Sequence, residues 1–444
     1  MNLRYWLLLI LIPLVICGLG GIYMATKDKN VSTVLDESAH ERELSMKAAF
    51  SEPVSAPEPG EELKFHNIAQ NHFTKLAKAF QSGHGGEIGR LISAEEMFNY
   101  AERACSLEFE SDRHRALFIK GFKKGVLNSL SQSAGLMSYD DVDVVRIEIV
   151  KDNEFIAYTK LWDDEYEVYS KMRWWLLKDK RNNWVIYDYE DFDSNIRVST
   201  MLGTLIPAPG KKREFWTKDF MKIVRQFQER DADDLIGAFI DLEEPVLKFL
   251  EYQGLPTEIE SYTRILLISS LVTQEKYQAA LDQVEVLESI KSDLPVLAYN
   301  KGVCLAGLER WDDAIASYAE YSKVLGWDSG LHEDVADAYY GKGDLENTAE
   351  HARKGLQDNP NATGCLASLA AALPQSEFDQ VIKYISKSKD PELSYEVVMD
   401  YLIMIEKTEE TKWFLEKFRQ EFPKSELIEY YEEELEPSAE QPEE

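Results

Sequence analysis

Asp188, Asp191 and Asp193, with His114, Tyr158 and Tyr187, are the residue types in this chain suited to general acid–base chemistry. That chemistry needs two groups within hydrogen-bond reach of one proton, and nothing in the spacing brings any two of these together. An aspartate at the end of a strand is more often a turn former than a base, and His114, near a helix start, reads as a surface residue. Trp162, Trp174, Trp175 and Trp184 fit core and sheet-face packing better than a ligand cage. The loop Ser82-Gly83-His84-Gly85-Gly86 lacks the lysine and hydroxyl residue of a phosphate-binding loop, and reads as a connection. Cys17, Cys105, Cys304 and Cys365 are too few and too scattered for a disulfide framework or a metal knuckle, so free thiols are expected. These residues predict no catalytic group, no metal and no cofactor.

The elements that must position them fall in residues 63–206. Helical periodicity runs through Ile68, Phe73, Leu76, Ala77 and Phe80, Ser93 with Glu96 forms a capping box, and Arg113 to Leu130 predicts a third helix. From Val142 the period changes to two. Val145–Ile149, Phe155–Thr159, Glu165–Leu177 and Trp184–Tyr189 read as four strands joined by short polar turns, an antiparallel meander. The predicted domain is therefore α+β. Three helices followed by a curled meander resemble the cone-shaped fold of the nuclear transport factor and ketosteroid isomerase superfamily, a resemblance of element order without a diagnostic motif. It implies a small apolar ligand or an acid or histidine at the mouth of the cone, the alternative reading of this chain's function.

A second pattern recurs every 34 residues. Tyr277, Trp311 and Leu345 share one phase, Ala280, Ala314 and Thr348 another, Val284, Tyr318 and Ala352 a third, and the last unit closes on Pro360. A fixed period of this size predicts stacked helix pairs, because a single pair cannot bury its apolar face alone. The units resemble tetratricopeptide repeats. In the middle unit Gly302 holds the small position of the first helix, and Trp311, Ala314 and Tyr318 hold the aromatic and small positions of the second. Lys301 and Thr348 stand where the family usually has Leu and Ala. Beyond Pro360 the pattern decays into a degenerate fourth pair (Cys365–Leu373, Phe378–Ser386) and a fifth (Leu393–Ile405, Glu409–Phe422), so the all-α solenoid is placed at 261–425. The resemblance implies a concave face lined by first helices, in which segments of other proteins lie. The candidate lining is Ile265, Ser269, Val272, Tyr299, Val303, Ala306, Glu333, Asp337 and Tyr340. The clamp that some family members use on an acidic peptide terminus is not present: Asn300 fits one position, but Ile265, Ser269, Gly330 and Asp334 occupy others. A mixed apolar and acidic lining favours an apolar or basic partner segment.

The flanks complete the organisation. The run Tyr5 to Met24 has no charged side chain, and about 20 such residues are enough to span a bilayer core. A membrane anchor at 1–30 is expected, uncleaved because bulky Tyr23 stands where a cleavage site prefers a small residue, and not lipidated because Ile16 precedes Cys17. Residues 31–62 read as a stalk, with a capping box at Ser38 and Glu41 and three prolines between Glu52 and Gly60. Residues 207–260, opening on Pro207-Ala208-Pro209-Gly210 and Lys211-Lys212-Arg213, read as a helical connector or cap, and Thr257 with Glu260 as a further capping box. Residues 426–444 contain nine glutamates and no Lys or Arg, and are expected to be disordered. The formal charge of −31 disfavours nucleic acid and anionic lipid as partners. The sequence thus predicts a single-pass membrane protein with its body on one side, the extracytoplasmic side favoured. That body would be a non-catalytic scaffold whose repeats dock another protein.

Overall fold

The computed structural model describes residues 60–105, 107, 109, 111–132, 139–163, 168–192, 196–205, 216–228, 235–292 and 294–435. The chain is mostly helical, with one antiparallel sheet. Contacts divide it into two units, one ending at Cys304 and one beginning at Leu305.

The expected membrane-spanning helix is corrected here. No helix among the described residues is long and apolar enough to cross a membrane. The run Tyr5 to Met24, the Ser38–Glu41 capping box and the proline stalk lie outside the described residues. The single-pass assignment rested on the hydropathy of that run alone, and neither the anchor nor a membrane location is carried forward.

The first unit opens with α1 (Glu61–Ser82), α2 (Gly85–Leu91), α3 (Ala94–Ala104) and α4 (Asp112–Gln132). The glycine loop is shorter than its composition suggests. Gly83 turns the chain with φ 65°, and helix resumes at Gly85. Ser93 caps α3 by accepting from the Glu96 amide. The sheet then runs in sequence order through β1 (Asp141–Lys151), β2 (Glu154–Asp163), β3 (Val168–Lys178), β4 (Trp184–Asp191) and the two-residue β5 (Ile196–Arg197). One face packs on α1, where Phe65 meets Phe155 at 5.1 Å between ring centroids and Phe73 meets Trp174 at 5.3 Å. Helix α1 also covers part of the free edge of β1. His66 Nε2 donates to Val144 O and Gln70 Nε2 to Val142 O, both at 2.9 Å, occupying acceptors that an edge strand otherwise offers to another chain.

After β5 come α5 (Val198–Leu205), α6 (Thr217–Gln228), α7 (Leu235–Ile240), α8 (Glu243–Leu250), α9 (Thr257–Thr273) and α10 (Tyr277–Ile290). Thr257 and Glu260 do not form the expected capping box: Pro256 stands at the cap, and Glu260 accepts from Arg264 instead. Helix α11 (Pro295–Gly307) carries the chain across the division between the units.

The second unit continues with α12 (Trp311–Leu325), α13 (Ser329–Lys342), α14 (Leu345–Asp358), α15 (Thr363–Ala372), α16 (Asp379–Ile385), α17 (Pro391–Met404), α18 (Thr408–Glu421) and α19 (Leu427–Glu434). Helices α10, α12, α14 and α16 begin at Tyr277, Trp311, Leu345 and Asp379, each 34 residues after the last, so the period outlives the sequence pattern by one unit. The turn inside a pair repeats as well. Glu275, Glu309, Gly343 and Glu406 have φ of 58°, 60°, 81° and 60°. After each, an amide returns to a carbonyl five residues back: Lys276 to Leu271, Arg310 to Leu305, Asp344 to Tyr339, and Lys407 to Leu402. This is the left-handed helix ending that satisfies the last carbonyls of a helix. Within the second unit α13 packs on α14 and α15, and α15 on α17. The acidic end is not wholly without structure. Helix α19 inserts Tyr431, 0% exposed, whose hydroxyl donates to Asp400 Oδ1 at 2.6 Å.

Candidate functional site

The candidate acids of the sheet are already engaged. Asp188 is fully buried and accepts from Arg197 Nε at 2.5 Å, from the Ser199 amide at 3.0 Å and from the Ser199 hydroxyl. Arg197 in turn lies 3.8 Å from the centroid of the Trp175 ring and 4.7 Å from that of Tyr100, a cation held against two aromatic faces. Tyr187 donates to Glu154 Oε1 at 2.6 Å and Tyr158 to Glu148 Oε1 at 3.0 Å. Burial raises the pKa of Tyr100, Tyr158 and Tyr187, keeping the phenols protonated. Arg173 makes a two-bond contact with Glu190. Burial pulls its pKa down, but the Glu190 charge outweighs it and the net direction is up. Asp191 is fully buried at the end of β4, and Asp193 lies outside the described residues. His114 sits at the start of α4, edge-on to Phe109 at 5.9 Å, and shares no hydrogen bond with Asp188 or Asp191. The sheet thus gathers ion pairs on aromatic rings, an arrangement that fixes strands and leaves no pair poised for proton transfer. The sequence named Asp188, Tyr158 and Tyr187 but missed Arg173, Glu190 and Arg197, which are their partners or neighbours.

The predicted groove lining divides between the units. In the first, Ile265 and Ser269 are 2% and 1% exposed and belong to the interior of α9, and Tyr299 is buried on α11. Val272 and Val303 are half-buried. In the second, Ala306, Glu333 and Tyr340 are half-buried and Asp337 is exposed. Here side chains from three successive first helices meet. Ser368 of α15 donates to Asp337 Oδ1 of α13 at 2.8 Å, and Tyr401 of α17 reaches the same oxygen at 3.4 Å. Gly364 lies against the Glu333 carboxylate, where any side chain would collide with it. Asp337 reaches solvent but stands among closely packed helices. This crowding pushes its carboxyl up to about 6, the Ser368 hydrogen bond opposes the shift, and the neighbouring Asp334 charge adds to it. Tyr401 is raised by burial and then by Asp337 itself. The face is therefore acidic, with Tyr340 and Tyr401 beside the acids. Ser368 and Tyr401 were missed from sequence.

The thiols are inert. Cys105, Cys304 and Cys365 are buried, and burial pushes Cys304 up to about 12 and Cys365 in the same direction. No group of three or more His, Cys, Asp or Glu side chains among the described residues is arranged to hold a metal ion. Comparison with protein-family models and with curated proteins gives no match for this chain.

Proposed function

We propose that this chain is a non-catalytic docking protein, and that the face shared by α13, α15 and α17 receives a segment of another protein. The observation that carries the reading is the meeting of Asp337, Ser368 and Tyr401, one from each of three successive first helices. A repeat protein that places polar and aromatic side chains in register along its first helices has a surface suited to an extended or helical segment. The resemblance of the helix pairs to tetratricopeptide repeats supports the same reading. Glu333, Asp334 and Asp337 give the face one sign of charge, so the segment it suits carries Lys or Arg beside apolar residues. The mutual ion pairing of the sheet residues speaks for a structural role of the sheet, and against the alternative of an apolar ligand or substrate there.

The test is a peptide-display selection against the full chain, repeated with Glu333→Lys and Asp337→Lys together. The expected result is a set of enriched segments in which Lys or Arg alternates with aliphatic residues, and at least tenfold weaker capture by the double variant. Enrichment without basic residues, or binding indifferent to the charge reversal, would overturn the proposal.

A further inference from the structure

Away from the acidic face, α13 and α14 bring two imidazoles together. His332 Nδ1 lies 3.1 Å from His351 Nδ1, with the rings 5.2 Å apart and 62° inclined. Trp327 stacks on His332 at 5.0 Å and 15°, and meets His351 edge-on at 5.4 Å. Tyr339 closes another side of His351 at 5.5 Å. His332 is 8% exposed, His351 is half-buried and Trp327 is 37% exposed, so the pair is held by packing yet open to water on one side.

We propose that His332 and His351 form a two-imidazole site for a divalent transition-metal ion, with water or a partner's side chain completing its coordination. Two nitrogens 3.1 Å apart, each about 2.0–2.1 Å from a common ion, subtend an angle of about 100° at it. That value lies between the right angle of tetragonal Cu(II) or Ni(II) and the tetrahedral angle of Zn(II). The rigid packing of α13 on α14 fixes the bite before the ion arrives, which lowers the ordering cost of chelation. Whichever ring carries hydrogen on Nδ1 moves it to Nε2 through solvent, so both Nδ1 lone pairs face the ion. Imidazole donors and the general affinity order favour Cu(II) over Ni(II), with Zn(II) also accepted. Lys354 and Glu350 flank His351 with opposite charges and leave no strong local field of either sign. The separation of 19 residues between the histidines matches no metal-binding motif, which is why spacing alone gave no sign of the site.

The test titrates the full chain with NiCl2 and with CuCl2 by calorimetry, and compares His351→Ala and His351→Gln. One equivalent bound by the native chain, weakened at least tenfold by both substitutions, is the expected result. Cu(II) should also quench tryptophan emission in the native chain by more than in Trp327→Phe. A second readout needs no variant: paramagnetic Ni(II) should broaden the ring resonances of His332 and His351 before those of any other histidine. No saturable binding, binding unchanged by either substitution, or broadening confined to other histidines would overturn the proposal.

Discussion

Asp188→Ala removes a carboxylate that accepts from Arg197 Nε at 2.5 Å and from the Ser199 and Tyr189 amides at 3.0 Å each. Asp188, Ser199 and Tyr189 are 0% exposed and Arg197 7%, so the stranded donors gain little water in its place. Breaking a buried ion pair from one side costs about 3–5 kcal/mol, chiefly because the other charge stays behind. We expect about 4 kcal/mol here. Adding Arg197→Met should return about 2 kcal/mol of this, since an apolar side chain then lies on Trp175 where a charge had been. Two units need not unfold as one, so the quantity to read is amide hydrogen-exchange protection in β3 and β4 rather than a single melting curve. A loss below about 1 kcal/mol for Asp188→Ala, or a double variant as costly as the two singles added, would refute the reasoning. The first outcome would also return Asp188 to the list of candidate acids.

Three further outcomes follow from the same structure. Burial holds His72 near 4 against its ordinary 6.5, opposed by its contact with Leu91 O, so its neutral form stabilises the fold above pH 6.5. That contribution should fall by roughly 3 kcal/mol as pH drops from 6.5 to 4, and His72→Gln should flatten the profile in a denaturation series read at α1. Glu309 occupies a left-handed position with φ 60°, so Glu309→Gly should stabilise by about 0.5–1 kcal/mol, and Gly343→Ala should cost about the same. Chemical denaturation of both variants checks the pair, and opposite signs are required. Asp337 titrates at about 6 against an ordinary 3.8, so folding favours its protonated form, an effect complete below 3.8 and lost as pH rises through 6. A basic segment would engage the ionised form. Its affinity should therefore fall as pH drops through 6, and Asp337→Asn should remove that dependence in a binding titration.

The helices and strands were legible where one periodicity ruled. Tyr277, Trp311 and Leu345, found by counting, each open a helix, because an aromatic or aliphatic residue there packs against the preceding helix. The sheet was legible from polar turns such as Asp152-Asn153. What counting could not supply was pairing across distance. Arg197 reaches Asp188 only because β5 folds back beside β4, a two-residue strand too short to carry any alternation. Tyr431 was hidden differently. A run of glutamates reads as solvated, yet one tyrosine at helical spacing from Leu427 is enough to seat the segment on α17 through Asp400. The anchor read from Tyr5 to Met24 rested on hydropathy, which is a property of composition and names no contact.

The acidic face shows why a correct period can still miss the side chains that matter. A strict 34-residue repeat counted from Asp337 points to Ala371 and then Ile405. Ala371 is fully buried and Ile405 packs against the core of the second unit, so those positions face inward. The residues that meet Asp337 are Ser368 and Tyr401, three and four residues earlier, about one helical turn in each case. A turn leaves the azimuth on a helix nearly unchanged but moves the side chain about 5.4 Å along the axis. The starts of the first helices record where strict counting fails: Pro295, Ser329, Thr363 and Pro391 are 34, 34 and 28 residues apart. The final interval is six short, so a position counted onto α17 falls beyond the place where that helix meets α15 and α13. Such a slip is set by how the shortened α15–α16 pair packs, with Pro374 ending α15 early. Period therefore identifies which helices are equivalent, while packing decides which of their turns face one another, and the contact of Asp337, Ser368 and Tyr401 belongs to the second kind of information.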